Sequence, residues 1–314
     1  MSRPWRVPRA PQAGVALITA LLVVALATVA AVAMATHQQL DTRRTANLLD
    51  SDQAYEYALG VETWARLFLV RDARNNQVDD LGEPWAQSVP PLPVTGGQVT
   101  GRITDLQGLF NLNDLVDKGK PSAPDMARFQ RLLAALDLSP GLAQAVADWI
   151  DPDPNPLFPD GAEDNAYLGL KGAYRAANRP MESATELRLV KGFDAKAVNR
   201  LLPYVCALPT RTAINVNTAP VPVLQSLANG LSRQDMKALV QARGKDGYKT
   251  VQAFLSDPRL AGVKINTENL AVASHYFLIA SEADVGGGRV RLYSKVERAQ
   301  GGKTRVLSRN RGTR

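Results

Sequence analysis

The chain has 314 residues, 45% of them hydrophobic and 21% charged, and its formal net charge is +7. Cys206 is the single cysteine, so an intrachain disulfide is excluded. Positive charges are concentrated at the two ends, with Arg3, Arg6 and Arg9 at the start and a basic tail over 309–314. Because such tails are more often solvated than bound to nucleic acid or anionic lipid, the net charge alone predicts no partner.

The first element is an apolar run, Val15–Thr36, which contains no charge, proline or glycine. A helix of roughly 20 apolar residues crosses a bilayer, so 15–36 is predicted to span a membrane once, with the basic flank cytoplasmic. One interpretation is a cleaved secretory signal ending at Ala33-Met34-Ala35, although the run is longer than the usual signal core of about 7–15 residues. The other interpretation retains the apolar segment and removes only the basic leader over 1–14.

The pattern after the apolar run becomes amphipathic, and no proline interrupts it. Apolar residues recur at three- and four-residue steps, namely at Ala54, Ala58, Val61, Ala65 and Phe68. We therefore predict one helix over 15–70, about 80 Å long at 1.5 Å per residue. About 240 residues remain after this helix, enough for one large domain or two ordinary ones.

The rest of the chain alternates between turn-rich, helical and strand patterns. Glycine, proline and asparagine indicate a linker over 71–97, and a strand follows over 98–105 with a possible extension to 113. Helical patterns fill 114–271, and three strands separated by glycine turns form a meander within 272–308. A lone first strand needs partners, so one sheet with an inserted helical domain explains this order better than two consecutive domains. The predicted fold class is α+β.

The junction between the leader and the apolar run carries a family resemblance. A short basic leader ending in Gly14, before a helix that begins at Val15, resembles the prepilin-like proteins of type II secretion systems and type IV pili. In that family a prepilin peptidase cuts after the glycine and methylates the new terminus. Thr19 would be the fifth mature residue, where most subunits have glutamate and the minor pseudopilin K does not. Its hydroxyl can bond to a carbonyl one turn earlier in the helix.

The resemblance to the pseudopilin K family covers nearly the whole chain. Its supporting stretches are GLFNLNDL, ADWIDPDPNPLFPDGAEDNAYL, AYRAANRP, ELRLVKGF, LLPYVCALP and INVNTAPVPVL. It implies a pilin-like sheet over 98–113 and 272–308, and an inserted all-helical domain of helix-hairpin-helix or SAM-like units. The implied role is a minor pseudopilin that caps the pseudopilus tip and helps initiate its assembly. An inner-membrane chain with its bulk in the periplasm is implied too, with pseudopilins I, J and H, the peptidase and the inner-membrane assembly platform as partners.

The acidic loop over 151–165 is the best candidate site. Its oxygen donors include no histidine or cysteine, which favours a hard cation, and crowded carboxylates suit Ca²⁺ better than octahedral Mg²⁺. The loop starts like an EF-hand, but Pro156 and Ala162 stand where that motif needs glycine and glutamate. From the residues alone, a turn-rich loop that binds nothing is an equal alternative. The K resemblance implies a structural calcium ion, with Asp151, Asp153, Asp160, Glu163, Asp164 and Asn165 as the predicted ligands.

A second pattern, over 214–255, looks like the helix-hairpin-helix unit of DNA-binding proteins. Its hairpin amides would cradle a phosphate, beside the cations Lys237, Arg243, Lys245 and Lys249. The hairpin has one glycine, Gly230, where phosphate-binding versions typically carry two, and this favours plain helical packing. The alternative function is a membrane-anchored DNA-binding protein of competence type, whereas the K resemblance implies no nucleic acid.

The sequence contains no recognisable enzyme constellation. His37, at the membrane border, and His275, in a predicted strand, are the only histidines, and Cys206 lies in an apolar stretch. An apolar environment favours an inert thiol. The chain has no G-x-S-x-G, no phosphate-binding glycine loop with lysine and no H-E-x-x-H. We therefore expect assembly rather than catalysis.

Overall fold

The computed structural model describes residues 13–299 and 301–312, with side chains from Val15 onward. A single helix, α1 (Ala13–Asn75), contains 63 residues and is roughly 95 Å long at 1.5 Å per residue. It continues beyond the predicted end at 70 because its last turns are held by the rest of the protein. Leu69 is fully buried, and Asp72 Oδ2 accepts a hydrogen bond of 2.7 Å from Arg298 Nη1.

The elements after α1 are short until the last three strands. In chain order they are β1 (Leu92–Val94), β2 (Gly97–Asp105), β3 (Phe110–Asn111), β4 (Val116–Asp117), β5 (Lys120–Pro121), α2 (Ala123–Ala135), α3 (Leu142–Ile150), α4 (Asp164–Tyr167), α5 (Ala195–Leu201), β6 (Val205–Cys206), β7 (Ile214–Asn215), α6 (Val221–Gln225), α7 (Arg233–Arg243), α8 (Val251–Leu255), β8 (Leu270–Ala271), β9 (Tyr276–Val285), β10 (Gly288–Arg298) and β11 (Thr304–Arg311).

The C-terminal half of α1 packs on a five-stranded antiparallel sheet of order β1-β2-β9-β10-β11. Ala54 and Ala58 are fully buried against Ala283 and Leu292, so the helix approaches the sheet through small side chains. Alternate residues of β9 are buried, as expected for a strand with one covered face. This helix-on-sheet frame confirms the predicted α+β class.

Part of the segment predicted as a linker, 71–97, packs against the core and joins the sheet. A 3₁₀ turn, Pro84–Ala86, buries Trp85 against Phe277 with a ring-centroid distance of 5.3 Å. The short edge strand β1 then pairs with β2. The prolines and glycines of this segment correctly indicated turns. They gave no sign that Trp85, between them, is part of the core.

The first long strand ends at Asp105, as predicted, and the possible extension to 113 does not continue it. At the end of β2, Asp105 Oδ1 accepts a hydrogen bond of 2.8 Å from the Gln107 amide and turns the chain away from the sheet. Phe110–Asn111 then pairs in parallel with Val205–Cys206, outside the sheet. The stretch 106–113 therefore leaves the sheet and does not extend its first strand.

Residues 106–275 form a block inserted between β2 and β9, which are direct neighbours in the sheet. Phe110 and Phe129 stack at 5.1 Å in the core of this block. The block was predicted to be all-helical, but it contains three two-stranded pairs, β3-β6, β4-β5 and β7-β8. Their strands have only two residues each, too few for the period-two pattern that identifies a strand in a sequence.

The predicted basic tail begins within a sheet strand, since 309–311 belong to β11. β11 includes Arg309 and Arg311, and Arg309 Nε and Nη2 donate to the buried Glu62 at 2.7 and 2.9 Å. The guanidinium of Arg311 lies 3.7 Å from the ring centroid of Tyr55. Both contacts are with α1, so these cations hold the last strand against the helix.

Candidate cation site

The acidic loop folds back on the end of α3. Asp148, a fully buried residue on α3, accepts hydrogen bonds from the amides of Leu157 at 3.0 Å and Ala162 at 2.7 Å. Asp151 ends the helix in an extended conformation. One carboxylate on the helix thereby orders a loop that has little regular structure of its own.

Two carboxylates at the ends of this loop are buried and have oxygen atoms without hydrogen-bond partners. Asp151 is 1% exposed and Glu163 is 5% exposed. Within the described chain, Asp151 Oδ1 and both carboxylate oxygens of Glu163 have no partner, and neither does Asn178 Oδ1. A buried oxygen without a partner costs free energy, more so when it is charged, so these atoms require an external partner.

The raised pKa values of Asp151 and Glu163 also indicate that these carboxyls have no counter-charge. Burial raises the pKa of Asp151 to about 7, and the charges of Asp153 and Asp148 add to the effect. Burial also raises the pKa of Glu163 to about 7, helped by the charges of Asp148 and Asp151. A hard cation bound among these oxygens would favour the ionised form of both carboxyls. The donor set therefore fits Ca²⁺, which accepts six to eight oxygens at irregular geometry.

The other predicted ligands fall into two groups. Asp153 is exposed and its Oδ1 accepts from the Asn155 amide at 2.9 Å, yet its charge acts on both buried carboxyls. Asp164, at the start of α4, accepts from the Ala176 amide at 3.0 Å and lies 3.7 Å from Arg175 Nη1. Asp153 therefore belongs to the surroundings of the site, while Asp164 already has its own partners.

Asp160 and Asn165 are not brought to the buried pair. The Asp160 carboxylate lies against Gly141, next to the first residue of α3, whereas Asp151 follows its last residue. Nine helical residues separate these positions by roughly 13 Å. Asn165 is an exposed residue of α4. The Asp160 carboxylate therefore lies at the opposite end of α3 from Asp151, because the loop doubles back along the helix.

Two residues of this region were not predicted as site residues. Asn178 has a positive φ of 46° and contributes the unpartnered Oδ1 described above. Asparagine is one of the few residues that adopt this conformation readily, so Asn178 in AYRAANRP was a detectable turn signal. Asp148 stands within a helical pattern, where nothing in the spacing distinguishes it from a solvated residue.

A second buried acidic group lies at the end of α1. Asp72, Asp79 and Glu83 place carboxylate oxygens within 4.8 Å of one another. Arg298 fills the space between two of them, since Nη1 donates to Asp72 at 2.7 Å and Nη2 to Asp79 at 2.6 Å. Glu83 accepts from Trp85 Nε1 at 2.6 Å. The chain itself therefore supplies one cation to these three carboxyls, and the charges of Glu83 and Asp79 still contribute, after burial, to a pKa of about 7 for Asp72.

α1 is the one helix in the described part of the chain that is long and apolar enough to cross a membrane. Its first part is exposed throughout 15–36. Thr19 Oγ1 lies 3.0 Å from the carbonyl oxygens of both Val15 and Ala16, which confirms the predicted bond to the preceding turn. Gly14 belongs to the helix by its backbone, whereas 1–12 of the predicted leader lie outside the described residues.

The cations of the helix-hairpin-helix pattern are not a common phosphate-facing set. Arg243 is buried and donates to the carbonyl oxygens of Val216 at 2.6 Å and Ala219 at 3.0 Å. Lys249 donates to the Asp246 carbonyl at 3.1 Å and lies 3.9 Å from Asp80. Two of the four predicted DNA contacts therefore stabilise the fold of the unit itself.

His275 and Cys206 also have structural surroundings. β9 begins one residue after His275, whose amide donates to Gln107 Oε1 at 2.5 Å and whose Nδ1 lies 3.1 Å from the Arg298 carbonyl. Cys206 is buried, and its Sγ lies 3.3 Å from the Leu106 carbonyl.

Comparison with known proteins identifies the family. Residues 108–210 and 214–273 each match a family model described as type II secretion system protein K. The protein K of Pseudomonas aeruginosa is 42% identical over 97% of this chain and 94% of its own length. The chain belongs to the protein K family of type II secretion systems.

Other members of the K family align over nearly the whole of this chain, and one of known structure has the same fold. The Klebsiella pneumoniae protein K is 37% identical over 96% of this chain and 97% of its own. A chain of the crystal structure of the GspK–GspI–GspJ complex from enterotoxigenic Escherichia coli matches with a TM-score of 0.77 and 30% identity, covering 86% of this chain and all of that one. This K-family chain is therefore a minor pseudopilin, a structural component of the secretion system anchored by one apolar N-terminal helix.

Proposed function

We propose that this minor pseudopilin caps the tip of the pseudopilus and helps to initiate its assembly. The observation that carries the proposal is the block 106–275, inserted between two neighbouring strands of the frame. Subunits of a filament stack through their N-terminal helices and frames, and a block of this size is hard to fit between stacked copies. At an end of the filament the block is free to project.

Thr19 supports the same position. If the fifth-residue glutamate of each subunit neutralises the terminal ammonium of the subunit nearer the tip, the tip subunit has no ammonium to meet. An unpaired carboxylate in the bilayer would cost several kcal/mol or remain protonated. Thr19 instead satisfies its hydroxyl within α1. A subunit with no neighbour above it therefore loses nothing by lacking the glutamate.

Pseudopilins I and J are the proposed direct partners, with H below them. The support is the likeness to a chain of the GspK–GspI–GspJ complex, at 30% identity and a TM-score of 0.77. The prepilin peptidase would remove 1–14 and methylate Val15, and the assembly platform would receive the mature chain in the inner membrane. The basic leader favours a cytoplasmic N-terminus and a periplasmic bulk.

We also propose that the chain binds a structural calcium ion at Asp151 and Glu163. Asn178, whose Oδ1 is buried without a partner, and Asp153, whose charge acts on both carboxyls, are the proposed additional donors, and Asp164 and Asn165 remain candidates. The unpartnered buried oxygens of Asp151, Glu163 and Asn178 support the proposal. Calcium would supply the positive charge that no described side chain supplies there.

The tip position is tested by labelling. Cys206 is buried, so Lys196→Cys, on the exposed face of α5, creates one reactive thiol for a gold-maleimide label. We expect label at one end of isolated pseudopili, and none on filaments from the parent chain treated in the same way. Label repeated along the shaft would overturn the tip assignment.

Processing is tested on the membrane-extracted protein. Mass spectrometry should find a methylated N-terminus at Val15, and Gly14→Val should block cleavage because a side chain crowds the peptidase site. A mature start near Thr36, or an uncut Met1 in cells with an active peptidase, would contradict the proposed processing.

A further inference from the structure

A cavity of about 350 Å³ lies in the inserted block, between α2 and the hairpin that joins α6 to α7. Its walls include the cations Arg128, Arg131 and Lys264 and the amides of Asn229 and Asn266, and no acidic side chain lines it. The hairpin is the one that resembles a phosphate-binding unit in sequence, but the cations now in question are on α2 and on the segment before β8.

The helix spacing explains why two arginines share one wall. Arg128 and Arg131 are three residues apart on α2, so they lie on one face of the helix, together with Pro124 and Ala127. Arg131 also holds the opposite wall, because its Nε donates to the Ser226 carbonyl at 2.7 Å. A hydrogen bond therefore joins the two sides of the cavity and fixes their separation.

The local charges do not balance. Asp125 is shared by two arginines, at 3.5 Å from Arg128 Nη1 and 2.5 Å from Arg211 Nη2. Burial raises the pKa of the neighbouring Asp114 to about 7, so this second carboxyl is a weak source of negative charge. Arg131 donates to carbonyl oxygens of the hairpin rather than to a carboxylate. At least one guanidinium and Lys264 are left without an anionic counterpart among the side chains that wall the cavity.

Arg128 gives the strongest indication of a missing partner. The residue is 3% exposed, and its Nε is buried without a hydrogen-bond partner in the described chain. Burial lowers its pKa, and burial together with the charge of Arg128 lowers the pKa of Arg131. Two like charges held side by side in a partly enclosed space are mutually destabilising unless an anion joins them.

We propose that this cavity binds a small oxyanion of the phosphate or carboxylate class. Arg128 Nε, Arg131 and Lys264 would donate to its oxygens, and Asn229 and Asn266 would add hydrogen bonds. Guanidinium and ammonium groups are the side chains that recognise such anions most strongly. The proposal does not depend on the tip position or on the calcium site, both of which involve other residues.

The test uses the mature full-length chain in an uncharged detergent with a calcium chelator, since phosphate precipitates calcium. Binding of inorganic phosphate and of acetate is measured by calorimetry, with ionic strength held constant by sodium chloride. We expect at least one of the two anions to bind at least tenfold more tightly than chloride, and the comparison tells phosphate from carboxylate. Equal affinities for all three anions would overturn the proposal.

Variants with equal charge changes locate the binding. Lys264→Gln removes a cavity cation and should weaken anion binding about tenfold, whereas Lys196→Gln removes an exposed cation on α5 and should have no effect. Ala127→Glu places a carboxylate in the cavity wall and should abolish binding while raising the melting temperature. Equal losses in Lys264→Gln and Lys196→Gln, or undiminished binding in a folded Ala127→Glu chain, would refute the site.

Discussion

Two groups of buried carboxylates in this protein differ in whether the fold supplies a cation to them. At the end of α1, Asp72 and Asp79 share the guanidinium of Arg298. Beside α3, Asp151 and Glu163 have no cation and leave three carboxylate oxygens without partners. The first group receives a cation from within the chain, whereas the unpartnered oxygens of the second receive none from the described residues.

The two groups differ because the fold brings an arginine to one of them and not to the other. Arg298 is the last residue of β10, and α1 crosses the sheet at that end, so the fold itself delivers the cation to Asp72. The acidic loop is held by amides donating to Asp148, and among the described residues no arginine or lysine forms a salt bridge with Asp151 or Glu163. Lys191 Nζ lies 3.4 Å from the Gly161 carbonyl instead. A buried charge that the fold does not pair favours a bound ion.

The largest expected effect comes from removing the internal cation. Arg298→Ala leaves Asp72 and Asp79 buried together without a counter-charge, and should reduce the free energy of unfolding by about 3–5 kcal/mol. Urea unfolding of the full chain measures the loss. Arg305→Ala is the control, because the Arg305 side chain is 73% exposed and its pair with Glu297 should contribute less than about 1 kcal/mol. Equal losses in the two variants would show that Arg298 is not the neutralising group.

Calcium should act on the other group with a somewhat smaller effect. At 100 times its dissociation constant, calcium should stabilise the chain by about 2.7 kcal/mol, measured as a shift in urea unfolding against chelator. The double variant Asp151→Asn with Glu163→Gln should lose this increment, and in chelator it should be more stable than the unmodified chain. Asp160→Asn should keep the full increment, since Asp160 lies at the far end of α3. A calcium response that survives the double variant would place the ion elsewhere.

The pH dependence in chelator should be smaller and has a defined sign. The pKa values of Asp151 and Glu163 are raised to about 7 from 3.8 and 4.5, so their protonation stabilises the folded state. This contribution is complete below about pH 4 and is lost as the pH rises through 7, at most roughly 1.4 kcal/mol for each pKa unit.

The double variant isolates that contribution, because Asp72, Asp105 and Asp114 also have raised pKa values and titrate in both proteins. Between about pH 5 and pH 8, stability in chelator should fall more for the unmodified chain than for the double variant. Parallel curves would show that the two carboxyls are not buried as described. Saturating calcium should reverse the trend, since the ion binds the ionised form.

The smallest effect is expected for a carboxyl introduced into the apolar part of α1, where neither an arginine nor a metal ion pairs with it. Thr19→Glu adds one within the apolar part of α1, where it can remain protonated, so secretion should be unchanged or mildly reduced. Thr19→Arg cannot be neutralised in this way and should impair membrane insertion, at a cost of about 2.5–3.5 kcal/mol. A secretion assay in a strain lacking the native protein compares the two. A Thr19→Glu chain as defective as Thr19→Arg would contradict this account.

The sequence by itself determined the elements that depend on long, regular patterns. The apolar run and the three-and-four spacing after it predicted α1, and alternation with glycine turns predicted β9 to β11. It also determined the family, because the leader junction and the stretches of the inserted block are specific. Within the acidic loop, residue type alone predicted donors at Asp151 and Glu163, the two of the six predicted ligands that the structure buries.

Only the tertiary structure decided how charged residues are used. Arg309 looked like part of a solvated tail until β11 placed it beside Glu62, and Asp160 looked like a ligand until the loop doubled back along α3. Asn178 was outside the acidic loop altogether. The reason is that periodic patterns are local and report which face of an element is buried, whereas the pairing of a charge depends on which distant element the fold brings beside it.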